Sequence, residues 1–128
     1  RMVGPFIFLD HMGPTSLPTN GSGNVLSHPH IGLSTVTYLF SGALHHRDSL
    51  GFDQIIQPGD VNWMTAGRGI VHAELAPKNL KENNLHGLQA WVALPIQDED
   101  TEPSFEHYPK STLPIFEVGK VKIHLIAG

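Results

Sequence analysis

Short runs of apolar, β-branched and aromatic residues dominate the chain, and long stretches with helical periodicity are nearly absent. Turn-forming residues separate these runs, for example at Ser41-Gly42 and at Pro58-Gly59-Asp60. The pattern predicts eight strands: Phe6–Leu9, Ser34–Phe40, Ala43–Arg47, Asp53–Ile56, Val61–Met64, Val71–Leu75, Gly87–Leu94 and Val121–Ile126. Strands of this length and spacing are typical of an all-β sandwich or small barrel of the jelly-roll type.

Other segments fit between or beside these strands. Leu80–Asn84 has room for one helical turn, and Gln97–Pro103, with four acidic residues, reads as a solvated loop.

The predicted strands near both ends lack obvious neighbours, and unpaired strands leave open edges. We therefore expect either that the chain is a piece of a larger protein or that two copies form a homodimer through the exposed barrel edges.

Composition narrows the class of protein. The 128 residues suffice for one domain, residues 1–128, and the formal charge of −4 argues against direct nucleic-acid binding. Without cysteine, disulfide scaffolds, thiolate metal sites and cysteine nucleophiles are excluded. No apolar run approaches the length of a membrane span and no secretion signal is recognisable, so we expect a cytoplasmic protein without a membrane partner.

Nine histidines are an excess for this length, and imidazole is the commonest metal ligand in proteins. His28-Pro29-His30 places two imidazoles at positions i and i+2, and His72-Ala73-Glu74 does the same for an imidazole and a carboxylate. Residues two apart on a strand face the same side, so each pair can point both side chains into a barrel. Three imidazoles and one carboxylate suit a divalent first-row metal. Spacing alone leaves open the alternative that these histidines are ordinary hydrogen-bonded residues.

Other candidates have simpler explanations. His45 and His46 are adjacent, so only one of them can face inward on a strand, where His46 could support the site. Arg68 lies between two glycines in a turn, where contact with solvent is favoured over a place at the mouth of a cavity. Trp63, Met64, Phe8 and Phe40 are expected in the barrel core, and His11, His86, His107 and His124 are expected to be structural.

Six blocks of sequence resemble the pirin family of the cupin superfamily, in order from Phe8 to Val92. They are Phe8–Pro14, His28–Gly32, Thr35–Leu39, His46–Ser49, Pro58–Glu74 and His86–Val92. The resemblance implies a cupin β-barrel equivalent to the N-terminal half of a two-barrel protein, with residues 95–128 as a linker and final strand and without the second barrel. It also implies one metal ion, often Fe(II), on His28, His30, His72 and Glu74; Ni, Cu, Co, Mn and Zn suit such ligands too.

Two functions follow from this resemblance. Several pirins are similar to quercetin 2,3-dioxygenases, which open flavonols with O2 and release carbon monoxide; Glu74 would then act as the general base at the metal. Other pirins are nuclear, redox-responsive cofactors of transcription factors, which implies a regulatory domain that binds a protein partner. A half-length pirin whose site is collapsed is a third possibility.

Overall fold

The computed structural model describes residues 2–18, 20–80 and 82–127, and within them the fold is all-β, as predicted. The strands are β1 Phe6–Ser16, β2 Val25–His30, β3 Leu33–Ser41, β4 Leu44–Asp48, β5 Asp53–Ile56, β6 Val61–Thr65, β7 Ile70–Leu75, β8 Asn84–Ala93, β9 Ser104–Tyr108, β10 Ile115–Val118 and β11 Val121–His124. Two single-turn 3-10 helices, Ile96–Asp98 and Lys110–Thr112, connect the later strands. Among the described residues, no helix has the length and apolar character that a membrane crossing requires.

Two antiparallel sheets form the body of the domain. The larger one has the order β1-β8-β3-β6-β9 and the smaller one the order β2-β7-β4-β5, while β10 and β11 form a separate hairpin. Two apolar clusters pack the sheets together. One cluster includes Leu39 of the larger sheet and Leu44 of the smaller. The other includes Phe105 of the larger sheet and Ile70 of the smaller. The sheets therefore face each other across a shared interior, which is the arrangement of a cupin-type barrel.

The interior also contains polar side chains, which is unusual for a small core. The buried polar or charged residues include His30, Thr35, Thr37, His46, Asn62 and His72. A buried polar group is costly unless it is hydrogen-bonded or bound to a ligand. This polar interior is therefore where a functional site is to be sought.

All eight predicted runs lie wholly or mainly in strands, but three strands were not predicted: β2, β9 and β10. The strand β2 is at the edge of its sheet, where proline is tolerated because N–H groups that face away from the one neighbouring strand need no strand partner. The helical turn predicted at Leu80–Asn84 is not borne out where the structure describes it. Lys81 lies outside the described residues, Glu82 and Asn83 are not helical, and β8 begins at Asn84.

The predicted solvent exposure of the acidic segment is confirmed, since Gln97 to Glu102 are all exposed, but its first two residues belong to the 3-10 helix Ile96–Asp98 and not to a loop. The prediction of four core residues is confirmed only for Met64, which is 2% exposed; Phe8 and Phe40 are about half exposed, at 47% and 48%. Trp63 is partly buried and, with Phe8, lines an apolar groove of about 690 Å³ on the larger sheet. These aromatic residues therefore belong to a surface and not to the barrel core.

Candidate metal centre

Three imidazoles converge inside the barrel. His28 and His30 project from β2, and His72 lies directly opposite His28 on the neighbouring strand β7. One ring nitrogen of each residue lies within 4.8 Å of the corresponding nitrogens of the other two. Ring centroids are 4.4 Å apart for His28 and His72 and 5.0 Å apart for the other two pairs. The structure thus brings together three of the four residues that the spacing selected.

A β-bulge in β2 contributes to the orientation of His28. Val25 pairs with Glu74 and His28 pairs with His72, so three steps on β2 match two steps on β7. Within the bulge, Nδ1 of His28 donates to the backbone carbonyl of Leu26 over 2.8 Å. This bond fixes the tautomer and leaves Nε2 of His28 as the free lone pair, which is how metal-binding histidines are commonly held.

The ring of His72 is the most buried of the three, at 2% exposed. Its Nε2 atom is buried without a hydrogen-bond partner among the described residues. Burial, followed by the neighbouring His28, His46 and His30, lowers the pKa of His72 from 6.5 to about 3, so the ring is neutral near pH 7. A neutral imidazole with an unsatisfied buried nitrogen is what a metal ligand requires, and the donor set of nitrogen atoms fits a first-row divalent metal.

His30 lies between the other imidazoles and the larger sheet. Its ring meets Trp91 of β8 edge-on, with centroids 5.0 Å apart. Burial lowers the pKa of His30 as well, with a smaller contribution from His28. A groove of about 630 Å³ runs past His28, His30 and Trp91 and is bordered by Ile31 and Leu33. The groove gives an aromatic, mostly apolar ligand a route to the imidazoles.

Glu74, the predicted fourth ligand and base, is near this group but does not join the three clustered nitrogens. It follows His72 by two residues on β7, and its Oε1 accepts a hydrogen bond of 2.7 Å from Nε2 of Gln89 on the opposite sheet. Burial raises the pKa of Glu74, and this effect outweighs the lowering by Gln89 and His28. Its role as a metal ligand therefore stays a prediction.

Of the two adjacent histidines, His46 faces inward and His45 faces outward, where it contacts Asp53. Nδ1 of His46 is 3.4 Å from Nδ1 of His72, and Nε2 of His46 donates to the Asp48 carboxylate over 2.9 Å. The expectation that only one of the pair can face inward is confirmed. Sequence reasoning missed Asp48, although its spacing of two residues from His46 was a usable signal.

The remaining candidates are structural or solvent-facing. Arg68 is exposed and forms an ion pair with Glu102 at 2.6 Å, in agreement with the turn prediction. His107 bonds to Asn62 over 2.7 Å, and Nε2 atoms of His11 and His86 are 2.8 Å apart on the larger sheet. Gln89 and Trp91 are site residues that the spacing of histidines and carboxylates did not select, although both lie in the His86–Val92 block that resembles pirins.

Comparison with known proteins gives one consistent result. The sequence model of the family described as "Pirin" matches residues 1–92. A pirin-like protein of Caulobacter vibrioides is 53% identical over all of this chain and 46% of its own length. A crystal structure of quercetin 2,3-dioxygenase from Acinetobacter baumannii is 44% identical, with a TM-score of 0.92 over all of this chain and 42% of its own.

A second solved structure bears on the metal. It is a bacterial pirin from Escherichia coli in complex with nickel(II), 30% identical, with a TM-score of 0.59 over 67% of this chain and 35% of its own. The chain spans less than half the length of the curated relatives it matches, 46% in the Caulobacter protein. The relatives thus share this domain and its fold within longer proteins.

Proposed function

The chain belongs to the pirin family, and on that premise we propose that it forms the metal-binding cupin of a dioxygenase that cleaves a flavonol such as quercetin with O2. The observation that carries the proposal is the convergence of three imidazoles within 4.8 Å of one another. The orphaned buried Nε2 of His72 supports it, because nothing else among the described residues satisfies that atom.

In this proposal His28, His30 and His72 hold one divalent metal ion, and Glu74 is a fourth ligand. Fe(II) is the expected ion, while Ni, Cu, Co, Mn and Zn also suit such ligands. Nickel is the ion named for the pirin of Escherichia coli. When bound, the metal would stabilise the negative charge of a flavonol oxygen and would allow electrons of the flavonol to pass to O2.

Glu74 takes the proton from the 3-hydroxyl group of the flavonol. Glu74 is the carboxylate that lies nearest the three imidazoles along β7, two residues from His72, so it is placed to accept the proton of a phenol bound beside them. Gln89 donates to Oε1 of this carboxylate and also to the Thr37 hydroxyl, so it holds the carboxylate in one orientation. The flavonol anion that results is the electron-rich species that reacts with O2. Both oxygen atoms enter the ring-opened ester product, the carbon that bears the 3-oxygen loses its two ring bonds and leaves as carbon monoxide, and Glu74 returns the proton to the product.

The groove beside the imidazoles supports a planar phenolic substrate. Trp91 offers an aromatic surface next to His30, and Ile31 and Leu33 add apolar contacts. The indole nitrogen of Trp91 donates to Gln89, so the same residue links the groove to the hydrogen bonds around Glu74. An aromatic ligand that enters this groove would bring its hydroxyl group towards the carboxylate.

The variant Glu74→Gln tests the role of the base. We expect flavonol-dependent O2 uptake and carbon monoxide release to fall about 100- to 10,000-fold, the usual effect of losing a general base. Metal content should stay close to that of the wild type, because three imidazoles remain. Glu102→Gln, at an exposed loop carboxylate, is the matched control and should turn over normally. Unchanged turnover in Glu74→Gln would contradict the assignment.

Two further points stay proposals. A metal-dependent regulatory domain that binds a protein partner is the alternative function, and metal-loaded protein without any flavonol turnover would favour it. The apolar outer side of the larger sheet supports association of two chains, because Phe6 and Leu9 are 49% and 66% exposed there. A cytoplasmic location and the lack of nucleic-acid binding remain predictions from the sequence.

A further inference from the structure

A chain of hydrogen bonds leads from a buried carboxylate to the back of His72. Oδ2 of Asp48 accepts from Nε2 of His46 over 2.9 Å, and the two Nδ1 atoms of His46 and His72 are 3.4 Å apart. The Asp48 side chain is fully buried and that of His46 is 6% exposed. Water therefore does not compete for these contacts, and each donor and acceptor is set by its neighbour.

Backbone hydrogen bonds hold the Asp48 carboxylate so that one of its oxygens faces His46. Its other oxygen, Oδ1, accepts from the backbone N–H groups of Leu50 and Phe52 over 2.9 and 3.1 Å. With Oδ1 engaged by two backbone donors, Oδ2 is left for His46. A carboxylate can only accept, so the proton of this bond belongs to Nε2 of His46.

His46 is held just as firmly. Its ring stacks on Phe105 with centroids 4.2 Å apart and planes 13° apart. Since Nε2 of a neutral His46 carries the proton, its Nδ1 is an acceptor, and the partner that faces it is Nδ1 of His72. His72 must then carry its own proton on Nδ1, which leaves Nε2 unprotonated, and Nε2 is the atom that lacks a partner.

From this geometry we propose that His46 and Asp48 are positioning residues, which hold His72 in the tautomer whose Nε2 lone pair is free for a metal ion. The inference rests on the proposed metal centre, and neither residue belongs to the three clustered imidazoles. Partners of this kind orient a ligand ring and raise its basicity, and their loss commonly lowers metal affinity about 10- to 100-fold.

The variant Asp48→Asn gives the sharpest test because it changes hydrogen-bond direction and almost nothing else. The backbone donors at Leu50 and Phe52 require the amide oxygen at the Oδ1 position, so the amide NH2 group must face His46. His46 would then accept at Nε2 and donate from Nδ1, and His72 would be forced to carry its proton on Nε2. An Asp-to-Asn change beside a catalytic histidine of a serine protease reverses the tautomer in this way.

Long-range 1H–15N correlation spectra of the metal-free protein at pH 7.5 report each tautomer directly. We expect His72 as the Nδ1–H form and His46 as the Nε2–H form in the wild type, and both reversed in Asp48→Asn. Titration with Ni(II) should show about a 10- to 100-fold loss of affinity in the variant. Asp53→Asn, which alters an exposed carboxylate of the same hairpin, is the control and should change neither result.

His46→Phe provides a second measurement if Asp48→Asn does not fold. Phenylalanine keeps the stacking on Phe105 but offers no acceptor to His72. A similar loss of Ni(II) affinity would support the proposal, and wild-type affinity would overturn it.

The proposal is overturned if His72 keeps the same tautomer in the wild type and in Asp48→Asn, or if the tautomer reverses while Ni(II) affinity stays the same. If wild-type protein binds no Ni(II), the proposed metal centre is wrong. The tautomers of the metal-free protein separate failure of the metal centre from failure of the positioning role, because they report on His46 and Asp48 without any metal.

Discussion

At the scale of single residues, the proposed metal centre depends on histidines that burial keeps neutral. His72 has a pKa of about 3 in the folded protein against 6.5 as the ordinary value, and burial lowers the pKa of His30 and His46 in the same direction. Neutral rings can bind a metal, because metal binding requires an unprotonated nitrogen. Protonation of these buried rings at low pH must destabilise the fold.

This destabilisation predicts a pH dependence for the metal-free protein. Between pH 6.5 and about 3 the unfolded chain holds more protons at His72 than the folded chain does. The free energy of unfolding should therefore fall as the pH falls through this range, by up to about 1.4 kcal/mol per pH unit for one such group. Urea unfolding of chelator-treated protein at pH 7.5 and pH 5 measures this loss.

Glu74 acts in the opposite direction, because a carboxyl group with a raised pKa stabilises the fold as the pH falls. The variant His72→Gln separates the contribution of the histidine from that of Glu74. Its free energy of unfolding should fall less between pH 7.5 and pH 5 than that of the wild type. Equal losses in the two proteins would show that His72 is not a buried neutral ring.

The spacing of residues along the chain predicts only part of the candidate site. The i, i+2 rule selected His28, His30 and His72 because same-face placement on a strand is a local property. It could not reveal that Glu74 meets Gln89, since that contact joins opposite sheets. The rule could have paired Asp48 with His46, two residues away, but it could not show that backbone N–H groups of the following turn hold the Asp48 carboxylate in place.

At the scale of secondary-structure elements, most strands with alternating or continuous apolar residues could be predicted, but β2, β9 and β10 could not. The strand β2 contains His-Pro-His and is stabilised as a strand by pairing with β7 and not by its own apolar pattern. The strand β9 has a buried Phe105 but follows an acidic loop, and all of β10 is exposed. Such strands depend on their neighbours, which a single sequence does not display.

The turn before the ligand strand β7 depends on glycine, as the sequence indicated. Gly67 and Gly69 have φ values of +50° and +142°, but they differ in their surroundings. A Cβ atom on Gly67 would lie 2.0 Å from the Thr101 carbonyl oxygen, whereas nothing lies within 4 Å of a Cβ on Gly69. The Thr101 carbonyl also accepts from the Arg68 backbone, so it cannot move freely.

We therefore predict that Gly67→Ala costs more stability than Gly69→Ala. Gly67→Ala carries backbone strain of about 1 kcal/mol and about 1–3 kcal/mol more for the steric clash. Gly69→Ala carries backbone strain alone, of about 1–3 kcal/mol, because its φ lies outside the left-handed helical region. Thermal and urea unfolding of the two variants side by side measure the difference. Equal destabilisation would mean that Thr101 and its loop yield without cost.

At the scale of the whole molecule, one side of the larger sheet is apolar and uncovered. Tyr38 pairs with Leu88, Val36 pairs with Ala90 and Leu9 pairs with Ala90, so these residues share the side away from Gln89 and the metal centre. Soluble monomers rarely expose continuous apolar patches of this kind. This side is where we propose that a second copy of the chain binds.

Leu9→Asp tests that proposal. Light scattering across micromolar concentrations should show the wild-type chain as a dimer and Leu9→Asp shifted towards monomer, because a buried carboxylate without a partner is costly. Ile96→Asp is the control, at a side chain that is 86% exposed on a 3-10 helix, and should remain dimeric. A wild-type chain that is monomeric throughout would contradict the proposed interface.

Metal content decides whether His28, His30 and His72 hold a metal ion in this domain, as we claim. Mass spectrometry on protein purified without affinity tags or chelators should find about one equivalent of a first-row metal. His72→Ala should lose it, whereas His124→Ala, on the separate β10–β11 hairpin, should keep it. Wild-type protein that stays without metal after anaerobic loading with Fe(II) would contradict the claim.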